Sequence, residues 1–180
     1  MKRNLIGVAA VLSLMIPVGV VNATPAGAAP LQACSKLAVA VALSPGIQNT
    51  PKNQVLTAKG TLAGCTPAAA TGGSGVLTAT IKIPNGSCAT LALGNQKITG
   101  TGKAVWKNNK TSTFTLIATT GKGKQALLAT LGGKINTGLF AGKKISGAVG
   151  FTVPPPTPDC TAAHPVKKLN IVIKKPFTLS

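Results

Sequence analysis

Acid–base chemistry in this chain would have to use one short stretch, PPPTPDCTAAHP, from Pro154 to Pro165. It contains the only acidic residue, Asp159, and the only histidine, His164, with Cys160 between them. An aspartate that orients a histidine beside a serine nucleophile is the arrangement of a hydrolase triad. The proline-rich loop allows these two side chains to meet but does not require it, so a hydrolase that uses Asp159 and His164 is a minor alternative.

Other catalytic chemistries find less support in the sequence. Glycoside hydrolysis by paired carboxylates needs two acids and is excluded. The chain has no Ser-x-x-Lys motif, and none of its Gly-Lys pairs is followed by the Ser or Thr of a phosphate-binding loop. The cysteines lack the Cys-x-x-Cys spacing of structural zinc sites. We therefore predict a protein that is not an enzyme, with no catalytic, metal-binding or cofactor-binding residues.

The N-terminus has the three parts of a secretory signal peptide. Lys2 and Arg3 form a short basic region, an apolar run extends from Leu5 to Val21, and small residues between Ala23 and Ala29 suit a signal peptidase. We predict a signal peptide over residues 1–28 and a single domain over residues 29–180, which is long enough to bury a core. The predicted location is extracellular or cell-wall associated, with no stable membrane insertion after cleavage.

The cysteines of this exported chain are even in number and therefore indicate two disulfides. Four cysteines allow three pairings, and spacing alone does not choose among them. We favour Cys34 with Cys65 and Cys88 with Cys160, because each pair would tie the start of one strand to the end of another or to a loop. A disulfide at Cys160 would pin the proline-rich loop, so a structural role is sufficient to explain that loop.

Lysine dominates the charge of the chain. There are 19 Lys and Arg residues against one acid, a formal net charge of +18, and removal of Lys2 and Arg3 leaves 17 lysines against Asp159, or +16. Internal salt bridges are therefore nearly impossible, and the fold must rest on burial, backbone hydrogen bonds and disulfides. Such a surface attracts polyanions, with an affinity that falls as salt rises.

The body of the chain alternates apolar and polar residues, as half-buried strands do, and no window has the caps, length and period of a convincing helix. Gly, Pro, Asn and Ser separate the alternating segments. These observations predict an all-β fold, an antiparallel immunoglobulin-like sandwich of about eight or nine strands, with a barrel as second choice. Trp106 is expected in the core. The predicted strands are residues 36–43, 54–62, 75–83, 100–106, 111–119, 125–135, 143–153 and 166–173.

Three lysine pairs are candidates for contact with polyanions. Lys107 and Lys110 flank Asn108-Asn109, a predicted type I′ hairpin turn, since asparagine tolerates positive φ. There the two lysines would face each other, which an anion would relieve, although two solvated lysines are the simpler interpretation. Two C-terminal pairs would form a patch if their strands are neighbours. The predicted polyanion-binding residues are Lys107, Lys110, Lys167, Lys168, Lys174 and Lys175.

One ordered set of motifs resembles a known group of proteins. The set includes Thr61-Leu62-Ala63-Gly64-Cys65, Cys88-Ala89-Thr90-Leu91, Gly102-Lys103-Ala104-Val105-Trp106 and Asp159-Cys160. In this order the chain from Cys34 onward resembles small secreted, disulfide-bonded β-sandwich proteins of high-GC Gram-positive (actinobacterial) bacteria. The resemblance implies an exported, disulfide-bonded sandwich and supplies no catalytic residue.

The sequence thus predicts a secreted structural or binding module that associates with anionic extracellular polymers, such as wall polymers or acidic polysaccharide, through lysines. Sequence-specific nucleic-acid recognition is not expected, because the mature chain has no arginine and the whole chain has only one Trp and four Phe. The main alternative is a cationic, membrane-active antimicrobial factor. That activity would call for an amphipathic helix or an exposed apolar wedge, and the sequence pattern indicates neither.

Overall fold

The computed structural model describes residues 31–121, 128–153 and 160–180. The predicted signal peptide, residues 1–28, and Asp159 lie outside these ranges, as do the first residues of the sixth predicted strand. The described strands are β1 (Gln32–Ile47), β2 (Lys52–Thr66), β3 (Ser74–Gly86), β4 (Lys97–Trp106), β5 (Thr111–Thr120), β6 (Leu128–Gly138), β7 (Lys144–Thr152) and β8 (Val166–Leu179).

Each strand pairs antiparallel with the next one in the chain, and β8 pairs with β1, so the sheet closes into a barrel. The all-β, antiparallel prediction is confirmed. The closed sheet is the second of the two predicted architectures, and the immunoglobulin-like sandwich that was preferred is wrong. Alternation could not separate the two, because inward and outward residues alternate along a strand in both. Closure gives each of the eight described strands a hydrogen-bonded neighbour on both sides.

The buried residues of the barrel are mainly apolar, with a few buried polar side chains such as Gln32 and Gln54, and they pack around aromatic rings. Trp106 is only 2% exposed, which confirms its predicted place in the core. Its Nε1 donates to Ser112 Oγ over 2.9 Å, and its ring meets Phe140 edge-on with centroids 5.9 Å apart. At Gly102 a Cβ atom would lie 2.4 Å from the ring of Phe114, so the absence of a side chain there makes room for that ring.

The two predicted disulfides are both present and close opposite ends of the barrel. Cys34 and Cys65 are direct cross-strand partners on β1 and β2, with Cα atoms 3.9 Å apart. Cys88 follows β3 and Cys160 lies between β7 and β8, so this disulfide joins loops from opposite sides of the ring. Backbone bonds from Asn49 N to Cys160 O and from Cys88 N to Gln48 O attach the connection between β1 and β2 to the same cross-link.

A short helix, α1 (Cys88–Leu93), is the main element that alternation did not predict. Ser87 and Thr90 form a reciprocal capping box at its start, and Gly94 ends it with positive φ. The signal was therefore local, a Ser-x-x-Thr spacing within too short a segment to show helical periodicity. None of the helices in the described ranges is long and apolar enough to cross a membrane.

Candidate polyanion-binding surface

The positive charge of the barrel lies on its outside. Every lysine that the structure describes is exposed. The only Asp or Glu of the chain is Asp159, so the described residues include no side-chain carboxylate that could neutralise these lysines. The charge is therefore available to an external anion, and the arrangement of the lysines decides whether one region can act as a site.

Four exposed threonines form a line across the outer wall made by β2 to β5. Thr57 is the direct partner of Thr80, Thr80 of Thr101, and Thr101 of Thr115. We call these four residues the threonine row. The line continues onto β6 and β7 through Lys134, the partner of Thr115, and Lys144, the partner of Lys134. Two lysines thus oppose each other directly at the end of the row, a placement that is unfavourable without an anion nearby.

Lysines also stand on both sides of the threonine row. On one side a neighbouring row runs through direct partners from Lys59 to Thr78 to Lys103, and on the other side Lys82 lies on β3. Because lysine side chains are much longer than threonine side chains, the row forms a floor between raised edges. Two shallow depressions, of about 490 and 500 Å³, lie on this wall, and both are lined by Thr80 and Thr101.

The hydroxyl groups in the middle of the row are open to a ligand. Within the described ranges, Thr80, Thr101 and Thr115 make no side-chain hydrogen bond, whereas Thr57 Oγ1 donates to Ala42 O over a long 3.5 Å. A threonine hydroxyl can donate one hydrogen bond and accept others. The surface therefore offers hydroxyls that both donate and accept, bordered by ammonium groups that only donate.

The sequence-predicted lysines occupy other parts of the barrel. Lys107 and Lys110 lie in the connection between β4 and β5, where Asn109 N donates to Trp106 O and Asn109 alone of the two asparagines has positive φ. The hairpin is confirmed, but the predicted type I′ turn is wrong. A three-residue loop with one left-handed residue replaces it. Trp106 N bonds Lys110 O, so Lys110 is paired with Trp106 and does not face Lys107.

The C-terminal pairs lie on β8, on the side of the ring opposite β3 and β4. Lys174 and Lys175 are adjacent and both exposed because the register of β8 with β7 shifts at this point. The stem of Lys174 lies over Gly150, where an added Cβ would be 2.9 Å from Lys174 Cε. Lys167 and Lys168 begin the same strand, with Lys168 opposite Ala42. The pairs therefore share a strand but are separated along it, and none belongs to the surface around the threonine row.

The sequence pattern did not predict that the lysines around the threonine row form a binding surface. The repeats Thr78-x-Thr80, Thr99-x-Thr101 and Thr113-x-Thr115 are visible in the sequence and would indicate outward threonines on three strands. Their alignment into a row depends on the registers of three strand pairs, which no single segment encodes.

The structure describes the acid–base stretch from Cys160 onward. Cys160 is disulfide-bonded, so it carries no free thiol. His164 is exposed, and its backbone N–H donates to Thr161 Oγ1 over 3.1 Å. Asp159 lies outside the described residues, so the pairing of Asp159 with His164 stays a prediction.

A small apolar cavity of about 60 Å³ also lies inside the barrel. It is lined by aliphatic and aromatic side chains, among them Leu131, Phe151 and Phe177. With no polar group to orient a reacting molecule, this cavity does not resemble an active site.

Comparisons with known proteins do not assign the chain to a family. No protein-family model, no curated protein and no solved structure matches it.

Proposed function

We propose that this protein is an exported, non-catalytic barrel module that binds anionic polymers of the cell envelope through the lysines around the threonine row. Export is supported by the predicted signal peptide and by the two disulfides, which are typical of an oxidising compartment. Its proposed location is extracellular or associated with the cell wall. The resemblance to small secreted proteins of high-GC Gram-positive bacteria is part of the same proposal.

The main support for this function is that the threonine row is bordered on both sides and at one end by exposed lysines. An extended polymer with negative groups could contact several of these lysines at once. Contacts of this kind release counterions, so the binding strength depends on the number of neutralised charges. A single exposed ion pair is worth little, and the proposal therefore requires a polymer that engages many lysines.

The test is binding of the exported chain to purified wall material and to heparin over a series of salt concentrations. We expect the logarithm of the binding constant to fall linearly with the logarithm of the salt concentration. At roughly 1 M salt the Debye length is about 3 Å, so retention should be lost. Undiminished wall binding at that concentration would contradict the lysine mechanism.

The two alternatives predict different observations in the same preparation. A membrane-active factor would release dye from vesicles rich in anionic lipid, and a hydrolase would show a pH-dependent activity that His164→Ala removes. We expect neither leakage nor hydrolysis. Either result would replace the proposed function.

A further inference from the structure

We infer that the preferred ligand is an acidic polysaccharide that lies across the strands along the threonine row. This inference rests on the proposed function and narrows it from polyanions in general to one polymer class in one orientation on that surface. The positions of the lysines, the hydroxyls between them and the regular pairing of the strands support it.

The lysines beside the row alternate between its two sides. Lys59 on β2 and Lys103 on β4 lie on one side, and Lys82 on β3 lies on the other side. Each of these three lysines is two residues from the threonine of the row on its own strand. Neighbouring strands are about 4.8 Å apart, so Lys59 and Lys103 are separated laterally by about 10 Å. A polymer that crosses these strands therefore meets one ammonium group on each strand, on alternating sides.

Between these charges the surface offers hydroxyls. The Oγ1 atoms of Thr80, Thr101 and Thr115 have no partner in the described part of the chain, and they can donate to and accept from sugar hydroxyls. A polyanion without hydroxyls would leave this floor unused. Bases of a nucleic acid would need aromatic platforms, whereas the aromatic residues of β4 and β5, Trp106 and Phe114, are each only 2% exposed.

The wall keeps this pattern in fixed register. The pairing of β3 with β4 runs from Gly75 opposite Trp106 to Lys82 opposite Thr99 without a shift, and the pairing of β4 with β5 is also continuous. A ladder held on both sides cannot slip without turning its inward residues outward. The lysines and threonines are thus held at positions set by the backbone, which lowers the entropy cost of binding an extended chain.

The experiment compares three double variants of the exported chain. Lys59→Gln with Lys103→Gln removes two charges beside the row. Lys174→Gln with Lys175→Gln removes the same charge from the opposite side of the barrel. Thr80→Val with Thr101→Val removes two hydroxyls, leaves the charge unchanged and keeps β-branched residues in the strands. Far-ultraviolet circular dichroism and thermal unfolding confirm that each variant is folded.

The probes are hyaluronan, which carries a carboxylate on every second sugar, polyphosphate, which has charge but no sugar, and neutral dextran. We expect the Lys59 and Lys103 variant to lose roughly tenfold in hyaluronan affinity, the effect of two charge contacts, and the Lys174 and Lys175 variant to lose less than about twofold. The threonine variant should lose about fivefold for hyaluronan and bind polyphosphate as the parent does.

The outcomes separate this inference from the proposed function. A threonine variant that binds hyaluronan as well as the parent would overturn the inference while polyanion binding through these lysines stands. Equal losses in the two lysine variants would overturn both, because the proposed function places binding at the lysines around the threonine row. A parent protein that binds neither hyaluronan nor polyphosphate would overturn both. Binding to dextran equal to that of hyaluronan would show that charge has no role and would also overturn both.

Discussion

Two walls of the same barrel use lysine in different ways. The wall of β2 to β5 has continuous registers between β3, β4 and β5, and its lysines alternate with threonines at fixed spacing. The wall of β7 and β8 is irregular, with two register shifts between these strands. There, adjacent lysines are exposed together, and the stem of Lys174 covers Gly150.

The comparison shows that lysine density along the sequence is a poor guide to a binding surface. Twin lysines on β8 arise where the chain departs from strand alternation, and part of their length packs on the barrel. Single lysines on β2, β3 and β4 are spaced by the ladder and project beside free hydroxyls. A surface that binds a polymer needs single lysines like those on β2, β3 and β4, because the spacing between the strands holds such lysines at regular distances.

The largest expected effect concerns the cross-link between these walls. Cys88 lies in the loop after β3 and Cys160 in the loop before β8, and they are separated by 72 residues. In the chain-entropy model, replacing both by alanine should lower the free energy of unfolding by about 4 kcal/mol. Urea unfolding of the double variant measures this loss. A change below about 1 kcal/mol would mean that the walls stay together without the cross-link.

Glycine substitutions give the next largest effect and compare the regular wall with β6. Gly102→Ala should destabilise the protein by about 3 kcal/mol, because the new Cβ would meet the Phe114 ring at 2.4 Å and Thr78 O at 2.6 Å. At Gly132 nothing lies within 4 Å of the added atom, so Gly132→Ala should be neutral or stabilising by about 0.5 kcal/mol. Thermal unfolding of both variants checks the contrast. Equal destabilisation would show that the interior packs in another way.

The smallest effect concerns the opposed lysines at the end of the threonine row. Lys144→Gln removes the like-charge pairing with Lys134 and should stabilise the free protein by about 0.3 kcal/mol at low salt. The gain should vanish at about 1 M salt, where the Debye length is about 3 Å. Lys175→Gln, whose direct partner is Ala148, is the control and should show no such gain. A salt-independent gain would mean that repulsion is not the cause.

Much of the fold followed from the sequence because strand alternation and cysteine number are local or countable signals. The alternation in Leu77 to Ile83 correctly assigned the inward residues of β3, and both disulfide pairings were correct. The choice of barrel over sandwich depended on whether β8 meets β1, which no local pattern records.

The sequence predicted the positive charge of the candidate surface but not its position on the barrel. Its position required the registers that align Thr57, Thr80, Thr101 and Thr115, and these are set by the connecting turns and by the packing of the inner face. The lysine pairs of β8 were predicted to bind polyanions because their members are adjacent in sequence. Lys174 and Lys175 are exposed together at a register shift between β7 and β8, and Lys167 lies at a register shift between β1 and β8.

We expect an acidic polysaccharide to lie on the wall of β2 to β5. The most direct measurement is a titration of the isotope-labelled protein with a short hyaluronan oligosaccharide, followed through backbone amide shifts by nuclear magnetic resonance. We expect the shifts to concentrate at Thr78–Lys82 and Thr99–Lys103 and residues 171–177 of β8 to stay unchanged. Shifts centred on β8, or spread evenly around the barrel, would contradict this placement of the ligand.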